Sequence, residues 1–209
     1  RAAAMLGKPL EETKIITCHL GNGASVAAVH GGKCVDTSMG LTPLEGLLMG
    51  TRCGSCDPAL VQFIANNEGM TVDEVLNMCN KKSGLLGISG LSNDMRDIDK
   101  AAAEGNERAQ LTLDKVCYQI KQYVGSYAAA MGGLDAVIFT GGIGENSASV
   151  RYEVCKDMEF LGLEVCEELC SKASRKEATF STENSKVQAW VLPTNEELLI
   201  ARDTKELVK

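Results

Sequence analysis

A chain of 209 residues with 44% hydrophobic and 23% charged side chains is long enough for one well-buried domain and has the make-up of an ordinary folded protein. No apolar run approaches the ~20 residues of a membrane helix, and no basic stretch leads into an apolar one as in a secretion signal, so a cytoplasmic location and no membrane partner are expected. A formal net charge of -7 without clusters of Lys and Arg excludes a nucleic-acid surface, so an anionic ligand has to be held locally.

Nine cysteines, an odd number with no export signal, point to a reducing compartment and free thiols. Cys53 and Cys56 form a CxxC, but it precedes Asp57-Pro58 instead of opening a helix after a strand, so a thiol-redox or zinc role is the weaker reading. The first residue is Arg1, and RAAAMLGKP reads as the tail of a helix begun earlier, so the chain is expected to be a fragment.

Lys14 to Leu20, Ala24 to His30 and Lys33 to Thr37 read as strands, the last two joined by a Gly31-Gly32 hairpin turn. A Gly-, Thr- and Pro-rich loop follows from Ser38 to Asp57, a length that is usually functional inside a compact domain. Pro58 is expected as the first residue of a helix reaching about Asn67, with Asp57 as its N-cap. Thr71-Val72-Asp73-Glu74 is a capping box for a second helix ending near Ser83-Gly84, and LLGISGLSND is read as a loop. Helical spacing resumes from about Met95 to Glu104. The longest helix, about Glu107 to Met131, carries an apolar stripe of Leu111, Val116, Ile120, Tyr123, Val124 and Tyr127. Ala136 to Thr140 reads as a buried strand entering a glycine loop, with Asn146 or Ser147 capping the next helix. Val187 to Leu192 is a further strand, and Asn195 begins a final helix from Glu196 to about Val208.

Five segments could carry chemistry. In HLGNGASV, the Gly21 and Gly23 amides flanking Asn22 could meet phosphate oxygens with His19 donating to the same group, or the segment is only a tight hairpin with an Asn-Gly turn. Arg52, amid glycines in the long loop, offers the planar fork that suits phosphoryl or carboxylate oxygens; a surface ion pair is the alternative. In SNDMRD, Asp94 and Asp97 sit at a helix start, where capping alone would explain them. FTGGIGENS runs from a strand through Gly141, Gly142 and Gly144 to a helix start, the geometry on which a nucleotide can lie, although it is neither a Walker loop nor a Rossmann fingerprint. Glu196 and Glu197 of PTNEEL fall in a first helical turn, as dipole partners or as magnesium ligands.

In this order and spacing, HLGNG, DTSMGLTPLEGLLMGTRCG, SNDMRDI, FTGGIGENS and PTNEEL together resemble the C-terminal domain of acetate kinases, and the resemblance covers essentially the whole chain. It implies an α/β fold, a ribonuclease-H-like domain of the actin, sugar kinase and chaperone ATPase superfamily with a mixed sheet flanked by helices. It implies residues 1–209 as the nucleotide-binding domain, with the N-terminal domain absent, and reversible phosphoryl transfer between ATP and acetate giving ADP and acetyl phosphate. The divalent metal would be Mg2+, with Mn2+ as the alternative. Carried over by motif, His19, Leu20, Gly21, Asn22 and Gly23 would meet ATP phosphates. Asp94, Met95 and Arg96, with Gly142, Ile143, Gly144, Glu145 and Asn146, would contact the nucleoside, and Glu196 would hold the metal. Arg52 matches the arginine that stabilises the transition state, and His19 joins it as a catalytic candidate. Met95 stands where many members carry Phe, which leaves the fine shape of the nucleoside pocket open. The family's N-terminal domain supplies an asparagine near the metal, an arginine toward the acyl carboxylate, a catalytic aspartate and a second histidine. No segment here matches them, so the chain alone is expected to turn over little or no acetate. A homodimer through this domain is implied; propionate or butyrate kinase, or a catalytically silent nucleotide-binding module, are the other readings.

Overall fold

In the computed structural model, which describes residues 1–174 and 176–208, three buried apolar runs form the centre of the sheet. These are β1 (Lys14–Leu20), β4 (Ala136–Thr140) and β6 (Gln188–Val191), paired in parallel as β1–β4–β6. β2 (Ala24–His30) and β3 (Lys33–Thr37) extend the β1 side as an antiparallel meander, and the two-residue strand β5 (Ala178–Thr179) caps the other edge against β6. The order is β3-β2-β1-β4-β6-β5.

Alternation assigns the two faces. Ile16, Cys18 and Leu20 of β1, Val137 and Phe139 of β4, and Ala189 and Val191 of β6 join the main core with Val116, Ile120 and Val124 of the 24-residue helix α6 (Glu107–Ala130). The opposite face carries Ile15, Ala136, Ile138 and Trp190, covered by Ala2, Met5 and Leu6 of helix α1 (Ala2–Leu6). On α6 the buried positions include Ala109, Thr112, Val116, Ile120, Val124 and Tyr127, whereas Leu111, read from the sequence as part of the stripe, is 58% exposed. At 3.6 residues per turn Leu111 falls about 140° from Val116, on the outer side of the helix.

Helix α2 (Ala59–Glu68) starts one residue later than expected, with Pro58 and not Asp57 at the N-cap position; the Asp57 carboxylate accepts from the Ala59 amide at 2.9 Å. The capping box of α3 (Val72–Lys81) forms as read, with Thr71 Oγ1 and Glu74 exchanging bonds. The segment expected as a loop after it contains a short helix, α4 (Gly84–Ser89). Leu85 is buried there, and Gly90 closes the turn in the left-handed region at φ 69°. Helix α5 (Met95–Ala103) follows on Asp94 as N-cap.

The glycine segment after β4 differs from the expected loop. Gly141 to Asn146 winds into a helical turn, α7, and Ser147, not Asn146, caps the following α8 (Ala148–Cys155), accepting from the Val150 amide at 3.3 Å. Arg151 of α8 is fully buried. Its guanidinium donates to the carbonyls of Gly144 (2.8 Å), Cys170 (2.6 Å) and Ala173, and lies over the Phe180 ring. It thereby ties the glycine turn to α9 (Glu167–Lys172), an element that short polar-apolar mixtures in the sequence did not signal. The final helix, α10 (Glu196–Leu207), runs as expected from Asn195 but buries none of its residues. No described helix is long and apolar enough to cross a membrane.

Replacing Arg151 by Met keeps the volume and leaves three buried carbonyls without their charged donor. At about 1.5 to 3 kcal/mol for a hydrogen bond to a charged group, discounted for relaxation, the chain should lose about 3 kcal/mol in urea unfolding. An unchanged midpoint would show that the core does not depend on this cation.

Candidate functional site

The parallel pairing of β1 with β4 aligns His19 with Thr140, and the antiparallel pairing of β1 with β2 aligns His19 with Ser25. Residues opposite one another in a sheet project from the same face. A hydroxyl, an imidazole and a second hydroxyl therefore form a row across the carboxyl ends of the central strands. His19 is half-buried, and the Thr140 hydroxyl is buried without a hydrogen-bond partner among the described residues. Thr140 carried no signal in the sequence beyond closing an apolar run.

Leu20 is buried beneath the turn that follows, and the Gly21 amide donates to the Gly23 carbonyl at 3.0 Å. The neighbouring glycine turn packs against it so closely that a Cβ on Gly141, whose φ is 79°, would lie 2.8 Å from the Leu20 carbonyl oxygen. Glycine is required there by both conformation and contact. Glu145 holds the arrangement from beneath, accepting from the Gly141 amide at 3.1 Å and from the Thr194 amide at 3.3 Å.

The long loop 38–57 has no regular structure; its stretch 46–50 is buried and tied down by hydrogen bonds, whereas Leu41 is fully exposed. Gln119 of α6 donates to the Gly46 carbonyl and accepts from the Leu48 amide, and Leu47, Leu48 and Met49 are buried. Gly50 meets Asn22 so tightly that an added Cβ would come within 2.1 Å of the Asn22 Oδ1. Arg52 leaves this anchored stretch with Nη1 3.5 Å from the position of a Cβ on Gly23. Its guanidinium is half-buried, donates to the Met49 sulfur at 3.6 Å, and pairs with no carboxylate among the described residues.

A cavity of about 510 Å³ opens beside this turn. Its walls are Gly21 and Asn22; then Asn93, Asp94, Met95, Arg96 and Asp99 of the α5 start; then Gly142, Ile143, Asn146 and Ser147. Most of the residues read from the sequence thus converge on one space. His19, Leu20, Gly23 and Arg52 lie outside its lining, and so do Gly144, buried under Phe139, and Glu145, which points to Thr194. Glu196 stands apart on the exposed first turn of α10. Ser147 is legible in the sequence only as a helix cap, and Asn93 and Asp99 carry no ligand signal there, because a polar residue reveals its cavity only once the helix face is known.

Arg96 donates to both oxygens of Asp94, the closest contact being 2.5 Å, and the Asp94 carboxylate also accepts the Arg96 amide. These bonds hold its pKa down at about 2. Asp99 behaves oppositely: burial raises it, offset in part by the neighbouring Ser149 hydroxyl. All nine cysteines are free thiols. Burial, followed by the neighbouring Cys79 and Cys56, pushes Cys53 up to about 12, so the CxxC thiol is protonated at neutral pH. Among the described residues no group of three or more His, Cys, Asp or Glu is placed to hold a metal ion.

This is an α/β domain, a mixed sheet flanked by helices, with a cavity beside the turns that leave the carboxyl ends of β1 and β4. Residues 1–202 match the model of the acetokinase family, and the chain belongs to that family. It is 57% identical over 209 residues to the acetate kinase of Methanosarcina thermophila, covering 100% of this chain and 51% of that protein. It is 60% identical over 208 residues to the acetate kinase of Carboxydothermus hydrogenoformans, covering 100% and 52%. The crystal structure of Porphyromonas gingivalis acetate kinase superposes with a TM-score of 0.97 at 48% identity, over 100% of this chain and 52% of that one. A propionate kinase from Francisella tularensis gives 0.87 at 44%, over 96% and 50%. The chain spans about half the length of these relatives.

Removing the Arg96 side chain should let Asp94 titrate upward from about 2 toward the ordinary carboxylate value of about 3.9. Carboxyl carbon shifts followed by NMR from acid to neutral pH in Arg96→Ala would measure it; an unmoved titration would assign the depression to the helix cap alone.

Proposed function

We propose that the chain is the nucleotide-binding half of an acetate kinase, catalysing ATP + acetate ⇌ ADP + acetyl phosphate together with a partner domain. The observation that carries this reading is Arg52, a half-buried residue with no carboxylate partner among the described residues, held beside Gly23, which follows the cavity-lining Asn22 in the chain. An acidic protein that leaves a partly desolvated cation unpaired keeps it for an anion.

In this reading the triphosphate lies along the 19–23 turn and the nucleoside in the cavity between α5 and α7. An acetate oxygen forms a bond to the γ-phosphorus as the bond to the ADP oxygen breaks, so no proton has to move and catalysis is positioning plus charge stabilisation. His19 donates to a phosphoryl oxygen. Arg52 binds the equatorial oxygens more strongly as charge spreads over them, which lowers the barrier and not only the ground state. Gly141 and Gly142 let the ligand approach the backbone, and an added Cβ on Gly142 meets nothing within 4 Å. Glu145 sets the spacing between the glycine turn and Thr194, and so the approach to Glu196.

Magnesium is usually held by one or two carboxylates plus substrate phosphates and waters. A single exposed Glu196 at a helix start, with Glu197 beside it, fits that habit and not a metal cage built of protein alone. When bound, the ion would neutralise charge on the phosphate oxygens. The acyl group would be chosen largely outside this chain. The similarity to a propionate kinase keeps a longer acyl substrate as the second reading, since one methylene discriminates by only about 1 to 3 kcal/mol.

Calorimetric titration with ATP and magnesium tests the proposal. Gly142→Val, whose side chain meets no protein atom and takes up space in the cavity, should abolish binding, while Arg52→Ala should largely spare it, and the chain alone should form no acetyl phosphate. Binding that Gly142→Val leaves intact, or wild-type-like turnover by this chain, would overturn the reading.

A further inference from the structure

One carboxylate in the cavity is left without a task. Asp94 is neutralised by Arg96, whereas Asp99, which lines the same cavity, pairs with no basic side chain among the described residues. It stands five positions after the Asp94 cap, about 7.5 Å further along α5, and lines the same cavity as Gly21 and Asn22. It lies one turn beyond Met95, and Met95 itself packs by Leu20 and Gly21. Asp99 is therefore at the depth a nucleobase reaches when the phosphates lie on the turn, and it is partly shielded from water.

An ionised carboxylate accepts hydrogen bonds and cannot donate them. Adenine presents an exocyclic amine that donates; hypoxanthine presents a carbonyl oxygen at the same position, which would face the carboxylate with like polarity. The side-chain amides of Asn93 and Asn146 both donate and accept, so neither can make that distinction. We propose that Asp99 is the residue that selects the base, accepting a hydrogen bond from the exocyclic amine of adenine. This inference rests on the nucleotide reading above and assigns the part of that ligand which Asp99 reads.

Titrating the chain with ATP, ITP and 2′-deoxy-ATP, each with magnesium, in wild type, Asp99→Asn and Asp99→Ala, separates the two claims. Wild type should bind ATP at least about tenfold more tightly than ITP, the scale of a buried hydrogen bond to a charged group. Asp99→Asn, whose amide can donate to the hypoxanthine oxygen, should bring the ratio to about one or invert it, and Asp99→Ala should weaken ATP without improving ITP. Circular dichroism of each variant should match wild type; if Asp99→Ala unfolds, the ratio in Asp99→Asn decides. An ATP-to-ITP ratio equal in wild type and Asp99→Asn would overturn the base-selecting role while leaving nucleotide binding intact. So would a loss seen as insensitivity to the 2′-hydroxyl, which would assign Asp99 to the ribose. No binding of any of the three by wild type would sink the nucleotide reading together with this one.

Discussion

The site depends on one pairing. Because β1 and β4 run parallel with His19 beside Thr140, the chain leaves both strands at the same end of the sheet, and the two glycine-bearing turns that follow face each other over a shared space. Ligand crevices in open α/β sheets form at the carboxyl ends of parallel strands for this reason. The close contact of Gly141 with the Leu20 carbonyl, the Glu145 link to Thr194 and the insertion of Gly50 against Asn22 all fix that facing arrangement. A shift of one residue in the β1–β4 register would turn His19 toward the main core and dissolve the polar row.

Charge is managed locally in a chain whose net charge is -7. Arg151 is buried among carbonyls and serves the fold, and Arg96 is spent on Asp94. Arg52, held by a loop whose backbone is satisfied from α6 and α4, is left to meet an anion. These three arginines thus do different work, and what separates them is which acceptors the fold brings within reach.

Much of this was legible in the sequence where local chemistry decides structure. The capping box at Thr71 and Glu74, the Gly31-Gly32 hairpin, the buried run 136–140 and the Asn195 cap each carry their reason within a few residues. The helix hidden in LLGISG and the winding of Gly141–Asn146 were not legible, because glycine-rich stretches have weak local preferences and tertiary contacts choose for them. Leu111 was misplaced because the apolar pattern around it admits two faces and only packing picks one. At the site, motif residues such as Gly21, Asp94 and Asn146 could be named in advance. Asp99 and Thr140 could not, since their significance lies in what they lack among the described residues, a cation for one and a hydrogen-bond partner for the other.

The central claim is that separate sequence segments fold into one nucleotide cavity. The most direct measurement is amide chemical-shift mapping by NMR on the labelled chain as ATP and magnesium are added. The account predicts that perturbations cluster in residues 19–23, 93–99 and 141–147, with smaller changes around Arg52, and leave α2, α3 and the far sheet edge at β5 unmoved. Perturbations concentrated on those distant elements, or scattered evenly over the surface, would contradict it.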